Sequence, residues 1–314
     1  MNQGIVKGIC ISEKRGTKKI EVSEAVLIKD FGIQNDAHAG NWHRQVSLLS
    51  YDKIEAFRKK GADVSFGAFG ENVIVEGFDF RSLPVGTRFY CNDVVLEMTQ
   101  IGKECHSHCQ IYHSVGDCIM PREGVFAKVV QGGTIKAGDI MQMEEVKKDR
   151  PFQAAVITLS DSGVRGERVD ESGPCIKELL EKAGYEVVET LLIGDEQMVL
   201  EKQLKRLADM RQVDLILTTG GTGLSPRDTT PEGTLAVADR IVPGIAEAIR
   251  AYSMQITKRA MLSRGVSVLR KKTLIVNLPG SKKAVQESME CIMSELGHGL
   301  SVLRGDVSNC GRKG

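Results

Sequence analysis

The most informative segment of this 314-residue chain is Val213-Asp214-Leu215-Ile216-Leu217-Thr218-Thr219-Gly220-Gly221-Thr222-Gly223. Its apolar run is typical of a buried strand, and a glycine-rich loop follows directly. Because glycine has no Cβ, such a loop lets main-chain N–H groups approach an anion, although a plain tight turn has the same composition. It is neither a P-loop nor a dinucleotide fingerprint, because no Lys-Ser or Lys-Thr follows and Pro226 stands where the third glycine would be.

Strands and helices alternate around this segment, which predicts a three-layer α/β domain with a mostly parallel sheet. The predicted strands span residues 154–159, 186–193, 213–219 and 273–277. The predicted helices span residues 174–183, 195–210, 231–239, 243–260 and 282–296. Residues 262–269 are interpreted as core or subunit contact.

The first half of the chain has a different pattern, with short β-rich pieces separated by Gly and Asn-Asp turns. Strands are predicted at residues 5–12, 20–28, 45–49, 72–75, 87–90, 94–99 and 140–143, with one helix at 51–60. This pattern predicts a mostly β barrel or sandwich. Six charged residues in the seven from 144 to 150 precede Pro151, which indicates a linker at 146–151 between a domain of residues 1–145 and one of residues 152–314.

The composition excludes several functional classes. Lys plus Arg number 42 against 41 Asp plus Glu, and aromatic residues make up 5%, so neither a nucleic-acid partner nor an anionic membrane is expected. The N-terminus lacks the pattern of a signal peptide and no apolar run is long enough to span a bilayer, so we expect a cytoplasmic protein. Its eight cysteines are then free thiols, metal ligands or a reactive sulfur rather than a disulfide frame.

The glycine loop continues as Leu224-Ser225-Pro226-Arg227-Asp228-Thr229-Thr230-Pro231-Glu232-Gly233. Thr230 is predicted to cap a helix that starts at Pro231. Asp228 stands in the loop where a carboxylate holds Mg²⁺ against a triphosphate, and the alternative is an aspartate that stabilises a turn. A glycine turn followed by Lys282 and Lys283 predicts a second anion site at a helix N-terminus.

This string resembles the MogA/MoaB family of molybdopterin adenylyltransferases, and the resemblance covers nearly all of residues 152–314. Further matching motifs are Thr158-Leu159-Ser160-Asp161-Ser162, Gly194-Asp195-Glu196, Pro243-Gly244-Ile245-Ala246-Glu247, Leu262-Ser263-Arg264 and Asn277-Leu278-Pro279-Gly280-Ser281. The resemblance implies transfer of AMP from Mg·ATP to the terminal phosphate of molybdopterin, with release of pyrophosphate. It also implies a homotrimer.

The resemblance implies catalytic and Mg²⁺-binding roles for Asp195 and Asp228. By the same comparison the ligand-binding residues are Ser160, Asp161, Ser162, Gly220, Gly221, Thr222, Gly223, Pro231, Glu232, Ser263, Arg264, Pro279, Gly280 and Ser281. Two of these positions have competing interpretations. Asp195 also suits a helix N-cap, and Arg264 is either a phosphate clamp or an exposed cation at a helix end.

Residues 1–145 resemble a MOSC domain, the β-barrel module of molybdenum cofactor sulfurases. The matching motifs are Gly32–Gly40 with Trp42-His43-Arg44, Phe69-Gly70-Glu71-Asn72, Gly102-Lys103-Glu104-Cys105 and 122–129. The resemblance implies that Cys105 carries sulfur or contacts the metal of a molybdenum or tungsten cofactor. An inert, half-buried cysteine is the alternative.

The residues around Cys105 leave two further interpretations open. The string Cys105-His106-Ser107-His108-Cys109, followed by His113 and Cys118, also suits a bound metal ion, although a C-x₃-C spacing is weak evidence for one. His38 and Arg44, in a glycine-flanked loop, either line a pocket for the anionic pterin or lie at the surface of a hairpin.

Two functional hypotheses follow. One hypothesis is an enzyme: residues 152–314 adenylylate molybdopterin, and residues 1–145 bind, deliver or sulfurate the same cofactor. Metal-insertion and sulfur-transfer proteins would then be its partners. In the second, the chain is a non-catalytic carrier of molybdopterin or of the molybdenum cofactor. A carrier would be indifferent to ATP and Mg²⁺.

Overall fold

The β-rich first half forms a closed barrel in the computed structural model, which describes residues 3–103, 116–147 and 149–306. The chain divides into two compact units, Met1–Lys147 and Lys148–Gly314. The strands of the first unit are β1 (Gln3–Ile11), β2 (Ile20–Val22), β3 (Glu24–Ile28), β4 (Gly32–Ile33), β5 (Val46–Ser50), β6 (Val73–Glu76), β7 (Arg88–Cys91), β8 (Val94–Ile101), β9 (Val125–Gln131), β10 (Gly133–Lys136) and β11 (Ile140–Glu144). Its helices are α1 (Tyr51–Arg58) and α2 (Met120–Glu123), with a 3₁₀ turn at Phe80–Ser82.

The strands run around the barrel in the order β11, β7, β8, β9, β5, β6, β1, and β11 pairs with β1 to close it. The predicted barrel is therefore confirmed. Strand β2 pairs with β1 beyond the ring, and β10, β3 and β4 form a small separate sheet. The predicted strand 20–28 is divided at Ser23 into β2 and β3. Strand β9 was not predicted, because most of its residues are buried and its sequence lacks the alternation of apolar and polar residues that marks a strand.

A buried ion pair lies beside this barrel. Lys19 and Asp36 have fully buried side chains, with 2.5 Å between Nζ and Oδ2. The same oxygen accepts hydrogen bonds from the main chain of Ser12 (3.0 Å) and the amide of Asn72 (3.1 Å). Burial lowers the pKa of Lys19; at Asp36 burial is outweighed by hydrogen bonds from His38 and by Lys19, so its pKa lies below the ordinary value. The cluster ties two loops to the start of β6.

Glu71 is a second buried carboxyl group in this unit. Its oxygens accept main-chain hydrogen bonds from Gly67 (2.8 Å) and Phe69 (3.0 Å). Burial raises the pKa of Glu71 to about 7 despite these bonds. The group therefore takes up a proton on folding in mildly acidic solution.

The second unit has three layers. Its strands are β12 (Gln153–Leu159), β13 (Glu186–Ile193), β14 (Leu215–Thr219), β15 (Arg240–Ile241), β16 (Ser267–Arg270) and β17 (Thr273–Leu278). Its helices are α3 (Asp161–Val164), α4 (Ser172–Lys182), α5 (Gln197–Lys205), α6 (Thr230–Ala236), α7 (Pro243–Ile256) and α8 (Lys282–Arg304), with a π-helical turn at Arg206–Met210 and a 3₁₀ turn at Lys258–Leu262. One face of the sheet packs on α4, α7 and α8, and the other packs on α5.

The sheet has the order β13-β12-β14-β17-β16-β15 and is mixed. Strands β13, β12, β14 and β17 are parallel. At one edge, β16 pairs antiparallel with β17, and β15 pairs antiparallel with β16. The predicted mostly parallel sheet thus holds for the four strands that carry the glycine loop and its neighbours. A two-residue turn joins β16 to β17, and its Lys271-Lys272 sequence lacks the Asn-Gly or Asp-Gly signal of such hairpins.

The bounds of two helices differ from prediction. Helix α8 was predicted to end at residue 296 and continues to Arg304, although Gly297 and Gly299 have low helix propensity. Helix α6 already includes Thr230, whose hydroxyl donates to the Gly220 carbonyl instead of capping the helix. In the part of the chain that the structure describes, no helix is both long and apolar enough to cross a bilayer.

Replacing Lys19 by methionine is expected to destabilise the first unit by about 3–5 kcal/mol, because Asp36 stays buried without its cation. Trp42, the single tryptophan of the chain, belongs to this unit, so its fluorescence reports unfolding of this unit in urea. Lys136→Met is the matched control, since its pair with Glu24 is solvent-exposed. An equal urea midpoint for both variants would contradict the stabilising role of the buried pair.

Stability of the first unit is expected to fall as the pH rises from about 4.5 towards about 7, because the folded state holds the Glu71 proton in that range and the unfolded chain does not. The loss attributable to Glu71 is at most about 3 kcal/mol and is complete above neutral pH. Urea midpoints read from Trp42 fluorescence across this range measure it. The Glu71→Gln variant should show a flatter dependence, and an unchanged slope in that variant would assign the effect to other groups.

Candidate active site

A cavity of about 470 Å³ opens where β12, β13, β14 and β17 end. The parallel register aligns these ends, since Leu159 is opposite Ile193, and Thr219 is opposite both Thr158 and Leu278. Nine predicted site residues line the cavity: Ser160, Asp161, Ser162, Asp195, Gly220, Gly221, Asp228, Gly280 and Ser281. The sheet therefore collects at one edge residues that are up to 121 positions apart in the sequence.

Steric contacts make glycine necessary in the loop after β14. Gly220 and Gly221 have φ angles of +98° and +63°. A Cβ at Gly220 would lie 2.3 Å from the Leu159 carbonyl oxygen, and one at Gly221 would lie 2.4 Å from Thr230 Oγ1. The following loop approaches equally closely, because a Cβ at Gly280 would lie 3.3 Å from Gly220 Cα. Side chains at these positions would push the two loops apart.

The carbonyl oxygens of the glycine loop, residues 220–223, all accept hydrogen bonds. Thr230 donates to Gly220 and Gly221, and Arg264 donates to Thr222 and Gly223, at 2.7–3.1 Å. Within the described residues, the N–H groups of Gly221, Thr222 and Gly223 have no acceptor. Three consecutive free donors in a glycine loop form a concavity suited to a phosphate group.

Asp161 and Asp195 exchange reciprocal hydrogen bonds. The Asp161 main chain donates to Asp195 Oδ2 (3.0 Å), and the Asp195 main chain donates to Asp161 Oδ1 (2.9 Å). Arg227 donates to the second oxygen of Asp161 at 2.6 Å, and these bonds, the one from Asp195 first, hold the pKa of Asp161 below its ordinary value. The predicted alternative of Asp195 as a helix cap is wrong, because α5 begins after Glu196 and Asp195 binds the end of β12 instead.

Asp228 stabilises a turn and also lines the cavity. Its Oδ2 accepts the main-chain hydrogen bond of Ser225 (2.9 Å), as in a turn, and the residue also lines the cavity. Both candidate catalytic carboxylates flank the glycine loop: a Cβ at Gly221 would lie 3.4 Å from Asp195 Oδ1, and one at Gly223 would lie 2.8 Å from Asp228 Oδ2. Neither aspartate is buried, so both are accessible to a ligand in the cavity.

Two helices begin at the cavity, and only one of them is open to an anion. Asp170 Oδ1 accepts the first N–H groups of α4, from Ser172 and Gly173, each at 3.0 Å. At α8 the Ser281 hydroxyl caps Ala284, and among the described residues the main-chain N–H groups of Lys282 and Lys283 have no acceptor. Lysines in a first turn oppose the helix dipole, and this arrangement favours a bound anion at α8.

Arg165, Arg168, Asp170 and Ser172 also line the cavity, and the sequence analysis did not identify them. The signal for Asp170 was an aspartate just before Ser172-Gly173-Pro174, a usual helix start. Arg165 is paired with Glu167 at 2.8 Å. No ion-pair partner of Arg168 occurs in the described ranges, so its charge is available to a ligand.

The side chains of the remaining predicted residues of this site do not line the cavity. Thr222, Gly223, Pro231, Glu232, Ser263, Arg264 and Pro279 are absent from its lining. The Pro279 carbonyl accepts the Thr219 hydroxyl at 2.6 Å, and Arg264 pairs with Glu232. These two contacts hold the loops in position, and the role of Arg264 as a phosphate clamp or an exposed cation stays a prediction.

The carboxylates suit magnesium only when a ligand completes its coordination. Within the described residues, no group of three or more His, Cys, Asp or Glu side chains could hold a metal ion. Mg²⁺ usually binds one or two carboxylates together with substrate phosphates and water. Asp195 and Asp228, beside an anion-binding loop, provide that donor set.

The predicted site residues of the first unit are brought together only in part. The Arg44 guanidinium lies 4.7 Å from the Trp42 ring centre, and His38 accepts the Trp42 indole N–H through its carbonyl (2.8 Å). His43 contacts Gln100 at 2.9 Å. Cys105 and the other Cys and His residues from 106 to 113 lie outside the described residues, whereas Cys118 is buried.

Gly220→Ala is expected to destabilise the second unit by about 1–3 kcal/mol, because the left-handed conformation and the Leu159 carbonyl both exclude a Cβ. Urea unfolding followed by circular dichroism of the helices measures this loss, and Trp42 fluorescence should show the first unit unaffected. Gly244→Ala is the control, since no atom lies within 4 Å of its added Cβ and alanine favours α7. Equal unfolding midpoints for the two variants would contradict the steric argument.

Comparisons with known proteins agree with this arrangement. Residues 155–298 match the family described as "Probable molybdopterin binding domain", and residues 35–142 match the MOSC domain. The molybdopterin adenylyltransferase of Haemophilus influenzae is 44% identical over 151 residues, which are 48% of this chain and 77% of the relative. That of Escherichia coli K12 is 42% identical over 150 residues, 47% of this chain and 76% of the relative.

Among solved structures, the molybdopterin biosynthesis enzyme MoaB from Thermus thermophilus is 47% identical, covering 49% of this chain and 97% of that one, with a TM-score of 0.47. The chain therefore belongs, through its second unit, to the MogA/MoaB family of molybdopterin adenylyltransferases, and its first unit carries a MOSC domain.

Proposed function

We propose that the second unit transfers the AMP group of Mg·ATP to the terminal phosphate of molybdopterin. A phosphate oxygen of the pterin forms a bond to the α-phosphorus, the bond from that phosphorus to the bridging oxygen breaks, and pyrophosphate leaves with the electron pair. The attacking oxygen is already ionised at neutral pH. The reaction therefore needs positioning and charge neutralisation rather than a protein nucleophile or general base.

The observation that carries this proposal is the row of free N–H donors at Gly221, Thr222 and Gly223, flanked by Asp195 and Asp228. The donors bind phosphate oxygens of one substrate. The N-terminus of α8 with Lys282, on the other side of the cavity, provides a second anion site. Two anion sites in one cavity suit two phosphorylated substrates that must meet.

Asp195 and Asp228 would hold Mg²⁺, which neutralises charge on the ATP phosphates when bound. Asp161 keeps Asp195 in place through the reciprocal hydrogen bonds, and Arg227 links Asp161 to the loop that carries Asp228. Ser160 and Ser162, 3.2 Å apart at the end of β12, supply hydroxyl groups on the same side of the cavity.

We propose that the first unit binds the same cofactor, in a form that carries molybdenum or tungsten, and delivers or sulfurates it with Cys105. Its support is the MOSC match together with the stacked Trp42 and Arg44. Two linked units that share a ligand raise its effective concentration at the second site. The homotrimer and the exchange with metal-insertion and sulfur-transfer proteins stay predictions.

The test is transfer of label from ATP labelled at the α-phosphate to molybdopterin in the presence of Mg²⁺. Wild type is expected to form labelled, adenylylated pterin, and Asp228→Asn is expected to lower the rate at least about 100-fold, because one ligand of the neutralising cation is lost. Asp306→Asn, an exposed aspartate outside the cavity, is the control and should keep the wild-type rate.

Wild-type protein that binds molybdopterin and transfers no AMP would overturn the enzymatic proposal in favour of a carrier. Asp228→Asn protein that transfers label at the wild-type rate would leave the activity intact but exclude the assigned site.

A further inference from the structure

Arg264 does not line the cavity. It donates hydrogen bonds to four residues of the segment that follows β14. Its Nε donates to the Gly223 carbonyl at 2.7 Å, and its two terminal nitrogens donate to the Asp228 carbonyl and to the Glu232 carboxylate. Its main-chain N–H donates to the Thr222 carbonyl at 2.9 Å. One residue thus bonds the start, the middle and the end of the segment 222–232.

Few other contacts fix the tip of this segment. Residues 224–227 are exposed, and Leu224 has 64% of its surface accessible, so the loop tip has no apolar anchor. Inside the tip, Ser225 N–H donates to Asp228 Oδ2 and Asp228 N–H donates to the Ser225 carbonyl, both at 2.9 Å, and these bonds define a turn. Besides Arg264, the exposed pair of Arg227 with Asp161 joins the tip to the end of β12.

The guanidinium group is suited to that task. It is planar and carries five N–H donors in a fixed arrangement, so it can bind three acceptors in three directions at once. Its three side-chain hydrogen bonds are all with the segment 222–232, and Arg264 is not among the residues that line the cavity. A lysine ammonium at this position could not reach the same three acceptors together.

We infer that Arg264 is a positioning residue: it fixes Asp228 and the free N–H groups of the glycine loop, and it does not bind substrate phosphate. Its effect on the rate of AMP transfer rests on the proposed function. Its effect on the loop does not, because the bonds join residues of this chain to one another. Loss of Arg264 therefore leaves the cavity intact and lets the loop with Asp228 adopt other conformations.

Amide hydrogen exchange of the full chain without ligand tests the positioning role directly. In Arg264→Ala and in Arg264→Lys, exchange of the hydrogen-bonded amides of Ser225, Asp228 and Thr230 is expected to be at least about ten-fold faster than in wild type, while β14 and β17 keep their protection. Arg259→Ala is the control, an exposed arginine nearby whose side chain has no hydrogen bond or ion pair within the described part of the chain. A pure phosphate clamp predicts unchanged exchange in every variant, and that result would overturn the inference.

Label transfer supplies the second readout. Arg264→Ala and Arg264→Lys are expected to lower kcat at least about ten-fold, because the loop that carries Asp228 is no longer held in its position. Guanidinium ion added at millimolar concentration should restore part of kcat in Arg264→Ala and leave Arg259→Ala unaffected.

A raised KM with an unchanged kcat would instead make Arg264 a substrate ligand and overturn the inference. If wild type transfers no AMP, the proposed function fails, and the exchange measurement still decides whether Arg264 positions the loop.

Discussion

The close approach of Gly220 to the end of β12 is the constraint on which the site depends. A Cβ on Gly220 would lie 2.3 Å from the Leu159 carbonyl oxygen, and a Cβ on Gly280 would lie 3.3 Å from Gly220 Cα. Because the backbone can come this close, the loops after β12, β14 and β17 converge on one cavity. Phosphate-binding donors, candidate metal-binding carboxylates and a helix N-terminus then lie within reach of the same ligand.

Polar contacts, not apolar packing, hold the loops of this edge in place. The apolar side chains of the unit are buried between the sheet and its helices, and none is available to the exposed loop tip. Thr230, Asp161 and Arg264 fix the loops through hydrogen bonds with main-chain and carboxylate atoms. Buried polar groups in the first unit act similarly, since Lys19, Asp36 and Asn72 join segments that are far apart in sequence.

The sequence predicted the parts of the structure that local pattern encodes. Four parallel strands, the glycine loop and nine cavity residues followed from apolar runs, glycine composition and the family resemblance. The antiparallel strand β16 was not predicted, because the hairpin turn at Lys271-Lys272 carries no usual turn signal. The predicted end of α8 was too early, since the helix continues through two glycines. The partners of Asp195 and Arg264 could not be predicted, because the contacts come from residues 32 to 42 positions away and only the fold brings them together.

The central claim is that the glycine loop binds the phosphates of a nucleotide beside Asp195 and Asp228. A crystal structure of the full chain with Mg²⁺ and an ATP analogue that resists cleavage at the α-phosphate tests it most directly. The account predicts phosphate oxygens within hydrogen-bond distance of the Gly221, Thr222 and Gly223 N–H groups, with Arg264 still bonded to the loop. A nucleotide bound elsewhere, or Arg264 turned from the loop onto a phosphate, would contradict it.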